Sequence, residues 1–403
     1  MLSNRRILYL QPSELFGGAE RQIAAVLPQF QKQGVAVTAL VGPGQTIVDW
    51  LRGAGVKDIV RSPSFPRDQS EARGLGHIVV ASEFVAQAHV VEREVEQLIE
   101  DRGIEAIVAG MAFSWVASTP AARRKGIPVL WRVGGMELST IERVALKIWA
   151  RRNPPDGLIS NGQSVRDLFA PLVPAPSYIV RNGVDTDLFQ PVGASASMRP
   201  RDARVVVGFA GRLSPQKRPQ DFLQMVARIA PRHPEVRFLV AGDGSRRSRY
   251  EALAARLGIL DRVQFLGQVR DIRSFYASCD LLVLPSRSEG SPNVVLEAMA
   301  MRLPVAASDT PATREVITHL RDGFLFPVGD LDRMTDTIEM ALREPELRAS
   351  VTARAFRKAQ GPLSAAASAA TLAGIIEGVL GGTREREVAR AASTAGAAAL
   401  AAA

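Results

Sequence analysis

The chain has 403 residues, 46% of them hydrophobic and 23% charged; this excludes wholesale disorder and gives more chain than one core usually takes, so two domains are expected. A formal net charge of +9 suits phosphorylated ligands or an anionic membrane; nucleic acid fits less well, because the basic residues are not interleaved with aromatics and no nucleic-acid-binding module is present. The single cysteine, Cys279, and the lack of any Cys/His cluster with zinc spacing exclude an internal disulfide and argue against structural zinc.

The opening MLSNRRILYLQPS has neither the long apolar core nor the small-residue cleavage site of a signal peptide, and no run of about 18 apolar residues follows. A cytoplasmic protein is expected, with peripheral contact at the inner face of a membrane as an option. Short apolar runs then alternate with longer amphipathic segments, the pattern of a parallel sheet wrapped by helices. In the first half, strands are expected at residues 7–10, 36–41, 106–109, 129–132, 157–160 and 178–180. Helices are expected between them over about 19–33, 83–102, 139–152 and 163–170.

Behind the first strand stands SELFGGAERQ, residues 13–22, where Gly17 and Gly18 permit the close backbone approach that a phosphate-binding loop needs. The spacing is neither G-x-G-x-x-G nor a P-loop, and a Gly-Gly pair also serves ordinary turns. Further on, ERVALKIWARR, residues 142–152, spaces Val144, Ile148 and Trp149 among Arg143, Lys147, Arg151 and Arg152. Such a helix can rest on anionic lipid; the simpler arrangement turns its apolar stripe to the core and its basic residues to water.

Residues 190–204 are rich in small residues and proline and read as a linker. The alternation restarts with strands at 205–210, 237–241, 263–266, 281–284 and 304–307, giving two similar α/β halves with a cleft between them. The expected division is 1–190, then 191–362, then a helix over 363–382, with an alanine-rich tail of low complexity over 383–403.

In the second half, GFAGRLSPQKRP, residues 208–219, delivers Arg212 and Lys217 from the loop behind a strand. Ligands of open parallel sheets bind beyond such strand ends, where a guanidinium and an ammonium can neutralise a diphosphate. The chain has only six lysines, which favours this reading over a merely solvated basic loop. VAGDGS, residues 240–245, is another glycine-rich strand end. In SRSEGSPNVVLEAMAM, residues 286–301, Ser291 and Pro292 read as the N-cap and first residue of a helix. Its first N–H groups, near Asn293 and Val294, would face an anion. Glu289 precedes this helix and Glu297 lies about a turn and a half inside it, so the two carboxylates are spaced along a ligand instead of sharing a proton. The ordinary alternatives are a turn acid and a solvent-facing helix residue. No second acid near Glu289 has D-x-D spacing, so it is not expected to bind a metal.

Taken in order, FGGAE, RNGVDTDLF, GRLSPQK, GDGS, DRVQFLG and SEGSPNVVLEAMAMRLPVAASD resemble the family 4 glycosyltransferases, over about residues 7–330 and most tightly over 205–330. The resemblance implies the α/β GT-B fold, two Rossmann-like parallel-sheet domains facing a central cleft. It implies a retaining enzyme that moves a sugar from a UDP- or GDP-sugar to a glycan or lipid-linked acceptor, with no metal or cofactor required. Arg212 and Lys217 would then clamp the donor diphosphate and Glu289 would contact the transferred sugar. The backbone of Gly290, Ser291, Pro292, Asn293 and Val294 would hold sugar and phosphates, and Glu297 the ribose. Gly17 and Gly18 would close over the diphosphate, Gly242 would join the donor site, Gln268 and Val269 would hold the base, and the helix over 363–382 would cross back onto the first domain. One departure stands out: AGMAFSW and LWRVGGME lack the histidine or acid that many relatives place in the first domain, leaving Arg132, Glu137 or a backbone group as stand-ins. A nucleotide-sugar epimerase on the same fold, or a catalytically silent nucleotide-sugar-binding partner protein, are the alternative readings.

Overall fold

Parallel strands are buried on both faces, so they read as short continuous apolar runs, and the computed structural model arranges those runs as two parallel sheets. It describes residues 2–12, 18–65, 76–134, 138–191 and 198–382, with the side chains of residues 76–83 left aside; Gly17, Glu137 and the tail 383–403 lie outside that set. The first sheet holds β1 (Arg6–Gln11), β2 (Ala36–Val41), β3 (Asp58–Arg61), β4 (Ala106–Gly110), β5 (Val129–Val133), β6 (Gly157–Ser160) and β7 (Ser177–Ile179). Its helices are α1 (Gly18–Lys32), α2 (Gln45–Gly53), α3 (Gly76–Arg102), α4 (Met111–Lys125), α5 (Thr140–Arg152) and α6 (Gln163–Phe169). The spatial order is β3-β2-β1-β4-β5-β6-β7, so the winding direction reverses between β1 and β4.

The second sheet holds β8 (Val205–Ala210), β9 (Val236–Ala241), β10 (Val263–Gly267), β11 (Leu281–Leu284), β12 (Val305–Ser308) and β13 (Phe324–Phe326). Its helices are α7 (Pro219–Ile229), α8 (Arg247–Arg256), α9 (Ile272–Ser278), α10 (Asn293–Ala300), α11 (Pro311–Arg314), α12 (Leu331–Arg343) and α13 (Pro345–Gln360). The order β10-β9-β8-β11-β12-β13 reverses between β8 and β11. Each sheet is thus doubly wound, and a ligand site is expected beyond the carboxyl ends of the strands at each reversal.

Besides helices of the second half that the pattern does not place, β3, β13, α2 and α4 escape it for physical reasons. The edge strand β3, DIVR, is polar at both ends and incompletely buried, and β13 is only three residues long. Helix α2 is short. Helix α4 has no amphipathic period because Phe113, Trp115, Ala117, Ser118, Ala121 and Ala122 are buried around most of its circumference. The Ser118 and Thr119 hydroxyls are absorbed by the carbonyls of Ser114 and Trp115 at 2.6 and 2.7 Å, so neither needs an outside partner.

The chain leaves the first unit at Gly183 and enters the second at Val184, ahead of the 190–204 linker that the composition suggests. Both sides of that step are pinned. The Gln22 amide donates to the Gly183 carbonyl at 2.9 Å and accepts the Gly183 N–H at 2.8 Å. The Val184 N–H donates to the Leu363 carbonyl at 2.8 Å, and Val184 is buried in the second core. At the other end of the second unit, the buried Lys358 ammonium donates to Asp322 at 3.0 Å.

From Ala365 the chain belongs to the first unit again. Helix α14 (Ala365–Gly381) buries Leu372, Ile375, Ile376 and Val379 in the core formed by α1, β1 and β2, and the Ser368 hydroxyl donates to the Arg181 carbonyl at 2.8 Å. This attachment predicts a stability effect. Leu372→Ala or Ile376→Ala should each cost about 3 kcal/mol of the first unit's stability. All four tryptophans, Trp50, Trp115, Trp131 and Trp149, lie in that unit, and Trp131 stacks between Trp115 and Trp149 at 5.3 and 5.1 Å. Urea unfolding followed by intrinsic fluorescence checks the effect; a midpoint unchanged in both variants would show that α14 is not part of the unit's cooperative core.

Candidate active site

In the second unit the predicted residues collect at the carboxyl edge of the sheet. Strands β8 and β11 pair directly, Leu281 against Val207 and Leu282 against Gly208, so the loops that follow them are neighbours. Lys217, from the β8 loop, donates to Glu289 Oε1 of the β11 loop at 2.6 Å; the Lys217 side chain is 17% exposed and that of Glu289 6%. Gln216 fastens the same two loops: its amide donates to the Ser288 carbonyl at 3.1 Å, and its own carbonyl accepts the Arg287 N–H at 2.8 Å. Arg212 is exposed at the start of the β8 loop and makes no ion pair among the described residues. One cation is therefore held against a carboxylate while a second is presented to solvent.

The β8 and β9 loops are locked backbone to backbone. The Gly211 N–H donates to the Ala241 carbonyl and the Leu213 N–H to the Asp243 carbonyl, both at 2.9 Å. Gly242 has φ +138°, and a Cβ there would lie 1.9 Å from the Gly211 carbonyl oxygen. Any other residue would force these loops apart, so Gly242 shapes the seat on which Arg212 stands. The Gly242 N–H reaches the Gly267 carbonyl at 2.8 Å, which brings the β10 loop to the same edge. There Gln268 is exposed and Val269 packs against the core.

Helix α10 departs from the expected start. Its N-cap position is Pro292, with no side-chain cap; Ser291 stands one residue outside, and the Asn293 N–H is already donated to the Ser291 carbonyl at 3.0 Å. Two consecutive residues, Ser291 and Pro292, cannot close the first turn with a hydroxyl when Pro292 takes the non-helical φ/ψ of the cap itself. The Val294 N–H is left without a protein partner among the described residues, and it is the amide that the helix start offers to an anion. Gly290 is half-buried beside it. Glu297 is not solvent-facing: it is 4% exposed, and Glu297 Oε2 accepts the Tyr276 hydroxyl at 2.6 Å. A helical residue flanked by Leu296 and Ala298 gives no hint of that partner, since Tyr276 comes from α9.

The first unit has its own polar edge. Buried Gln11, at the end of β1, donates to Glu20 of α1 at 2.9 Å and lies 3.3 Å from the Met111 sulfur at the start of α4. Gly18 is the first residue of α1. Arg132, near the end of β5, donates to the Tyr9 hydroxyl at 3.0 Å and to the Asn182 side-chain carbonyl at 3.2 Å. Both partners are neutral, so the guanidinium is positioned without its charge being cancelled. At the end of β6, Ser160 Oγ and Asn161 Oδ1 are buried with no hydrogen-bond partner among the described residues. Glu20 and Asn182 fall within FGGAE and RNGVDTDLF, but their partners Gln11 and Arg132 become visible only when the strands are side by side. Among the described residues no group of three or more His, Cys, Asp or Glu is placed to hold a metal. A cavity of about 690 Å³ lined by Arg302, Arg348, Phe356 and Arg357 lies at the amino ends of β11 and β12, the edge opposite these groups. Cys279 borders it, and burial pushes its thiol pKa up, which leaves it unreactive.

Two doubly wound sheets, the second with a cationic strand edge beside a helix start, define an α/β protein built from two Rossmann-like units. Residues 195–358 match the glycosyl transferases group 1 model. It is 31% identical over 221 residues to the lipopolysaccharide core biosynthesis mannosyltransferase LpcC of Rhizobium leguminosarum bv. viciae, covering 52% of this chain and 62% of that protein. It is 32% identical over 176 residues to the alpha-D-kanosaminyltransferase of Streptomyces kanamyceticus, covering 43% and 46%. The chain thus spans about half to three-fifths of the length of these curated relatives. The crystal structure of Anabaena Alr3699/HepE in complex with UDP and glucose superposes with a TM-score of 0.73 at 21% identity, over 92% of this chain and 98% of that one. A glycosyltransferase from Rickettsia africae ESF-5 gives 0.76 at 16% identity, over 94% and 99%. The fold is that of the GT-B glycosyltransferases.

Proposed function

We propose that the protein transfers a sugar from a UDP- or GDP-sugar to a glycan or lipid-linked acceptor with retention of anomeric configuration, at the inner face of a membrane. The observation that carries this reading is the meeting of Lys217 and Glu289 at the β8/β11 reversal, beside Arg212 and the start of α10. Departure of a nucleoside diphosphate builds negative charge on its β-phosphate. Arg212, Lys217 and the Val294 N–H would stabilise that charge from fixed positions, with no metal needed. Glu289 would accept hydrogen bonds from hydroxyls of the transferred sugar, Glu297 from the ribose, and Gln268 and Val269 would border the base. In a front-face reaction the acceptor hydroxyl attacks the anomeric carbon as the carbon–oxygen bond to phosphate breaks, and the departing phosphate oxygen takes the hydroxyl proton. The HepE structure, whose bound molecules are UDP and glucose, and the mannosyltransferase relative support a nucleotide-sugar donor and a glycan product.

The test is a thermal-shift screen of UDP, GDP and their sugars, followed by turnover measurements with the stabilising donor in EDTA. A ligand at about 100 times its Kd adds about 2.7 kcal/mol of folded-state stability, so the matching nucleotide should raise the melting temperature by several degrees. Donor hydrolysis or transfer should then proceed unaffected by EDTA, with the α-linked donor giving an α-linked product by NMR. Absence of stabilisation by every nucleoside diphosphate, together with absence of donor hydrolysis, would overturn the proposal.

A further inference from the structure

Helix α5 divides its apolar residues between two faces, and only one of them meets the core. Leu146, Trp149 and Ala150 seat it on the first unit, while Ile141, Val144 and Ile148 are 81%, 53% and 48% exposed, with Ala145 exposed between them. Positions 141, 144, 145 and 148 share one helix face, so the outer side of α5 is a continuous apolar stripe. Arg143, Lys147 and Arg151, four residues apart, form a row along one border of that stripe, and Arg152 stands at its end; all four are exposed. These four side chains are engaged in no ion pair among the described residues. The helix's acid, Glu142, is tied into the capping box with Ser139. Among the described residues no helix is long and apolar enough to cross a membrane, so insertion of a span does not account for the stripe.

We infer that this face of α5 docks the protein on an anionic lipid bilayer, with Ile141, Val144 and Ile148 entering the headgroup boundary and Arg143, Lys147, Arg151 and Arg152 meeting lipid phosphates. Burying a core-like apolar stripe beside a row of cations needs a partner that is apolar within and anionic at its surface. A bilayer supplies both within a few ångströms, whereas a water-filled surface or a neutral apolar groove supplies only one. The inference gives the proposed membrane placement its surface and does not depend on the transferase chemistry.

The experiment is cosedimentation of the full chain with vesicles of phosphatidylcholine alone and with about one-third phosphatidylglycerol, at low and high salt. The wild type should bind the anionic vesicles, bind neutral ones far more weakly, and lose binding as salt rises. Ile141→Ser/Val144→Ser/Ile148→Ser and, separately, Arg143→Gln/Lys147→Gln/Arg151→Gln should each weaken binding at least about tenfold, since each basic residue near the surface contributes roughly a fivefold factor. Both variants change exposed positions and should keep the wild-type melting temperature and the wild-type response to nucleotide. Failure of the wild type to bind anionic vesicles, or equal binding by wild type and both variants, overturns the inference. A concentration-dependent dimer that the serine variant abolishes, without lipid binding, assigns the stripe to a second copy of the chain and overturns it as well. Because nucleotide stabilisation is read separately on the same samples, loss of the lipid result leaves the transferase reading standing, and the converse.

Discussion

Glu289→Gln should lower turnover by about 100- to 1,000-fold, the effect of removing one preorganised polar contact to a reacting group. Glutamine keeps the shape but not the charge, and Glu289 is nearly buried and bonded to Lys217 at 2.6 Å. Nucleoside diphosphate affinity should hold or rise slightly, because Lys217 is then released from its carboxylate and Arg212 is untouched. Titration calorimetry with the free nucleotide, set beside initial rates with the sugar donor, separates the two quantities. Near-normal turnover would remove Glu289 from the reacting end of the donor, and parallel loss of nucleotide affinity would make it a structural support for the loop.

Lys217→Met should have two effects of different origin. It leaves the Glu289 carboxylate buried with no cation, which costs about 3 kcal/mol of stability. It also removes a charged contact to the diphosphate worth about 1.5 to 3 kcal/mol, or roughly a 10- to 100-fold rise in Kd. Combining it with Glu289→Gln should restore most of the stability and none of the affinity, because only the first effect comes from the stranded carboxylate. Arg212→Ala gives the contrast: that side chain is exposed, so stability should stay within about 0.5 kcal/mol while affinity falls. A double variant that remains as unstable as Lys217→Met alone would show that the cation supports the loop by packing and not by pairing with Glu289.

Some of the site is legible in residue order because its chemistry is local. GRLSPQK and SEGSPN each follow an apolar strand, and a loop behind a parallel strand faces the ligand edge whatever its neighbours are. Other parts are legible only as a residue type. Gly242 reads as one more turn glycine until its missing Cβ is found 1.9 Å from the Gly211 carbonyl. Glu297 reads as a residue on an apolar helix until Tyr276 is seen holding it. The contacts among Gln11, Glu20, Tyr9, Arg132 and Asn182 carry no spacing signal, because the partners come from different elements, 9, 50 and 123 residues apart in chain order.

The sequence alone determined the alternation of strands and helices, the two similar halves and the loops that hold Arg212, Lys217 and Glu289, since these follow from apolar run length, period and strand-end position. Only the tertiary structure decided which of those loops meet. The winding reversal puts β11 beside β8 and so carries Glu289 to Lys217 across 72 positions of chain. It also decided that the first unit ends at Gly183, and that α5 turns Ile141, Val144 and Ile148 outward. Periodicity shows that a helix has an apolar face, but which face meets the core depends on the surface it is packed against, and that surface is made by other segments.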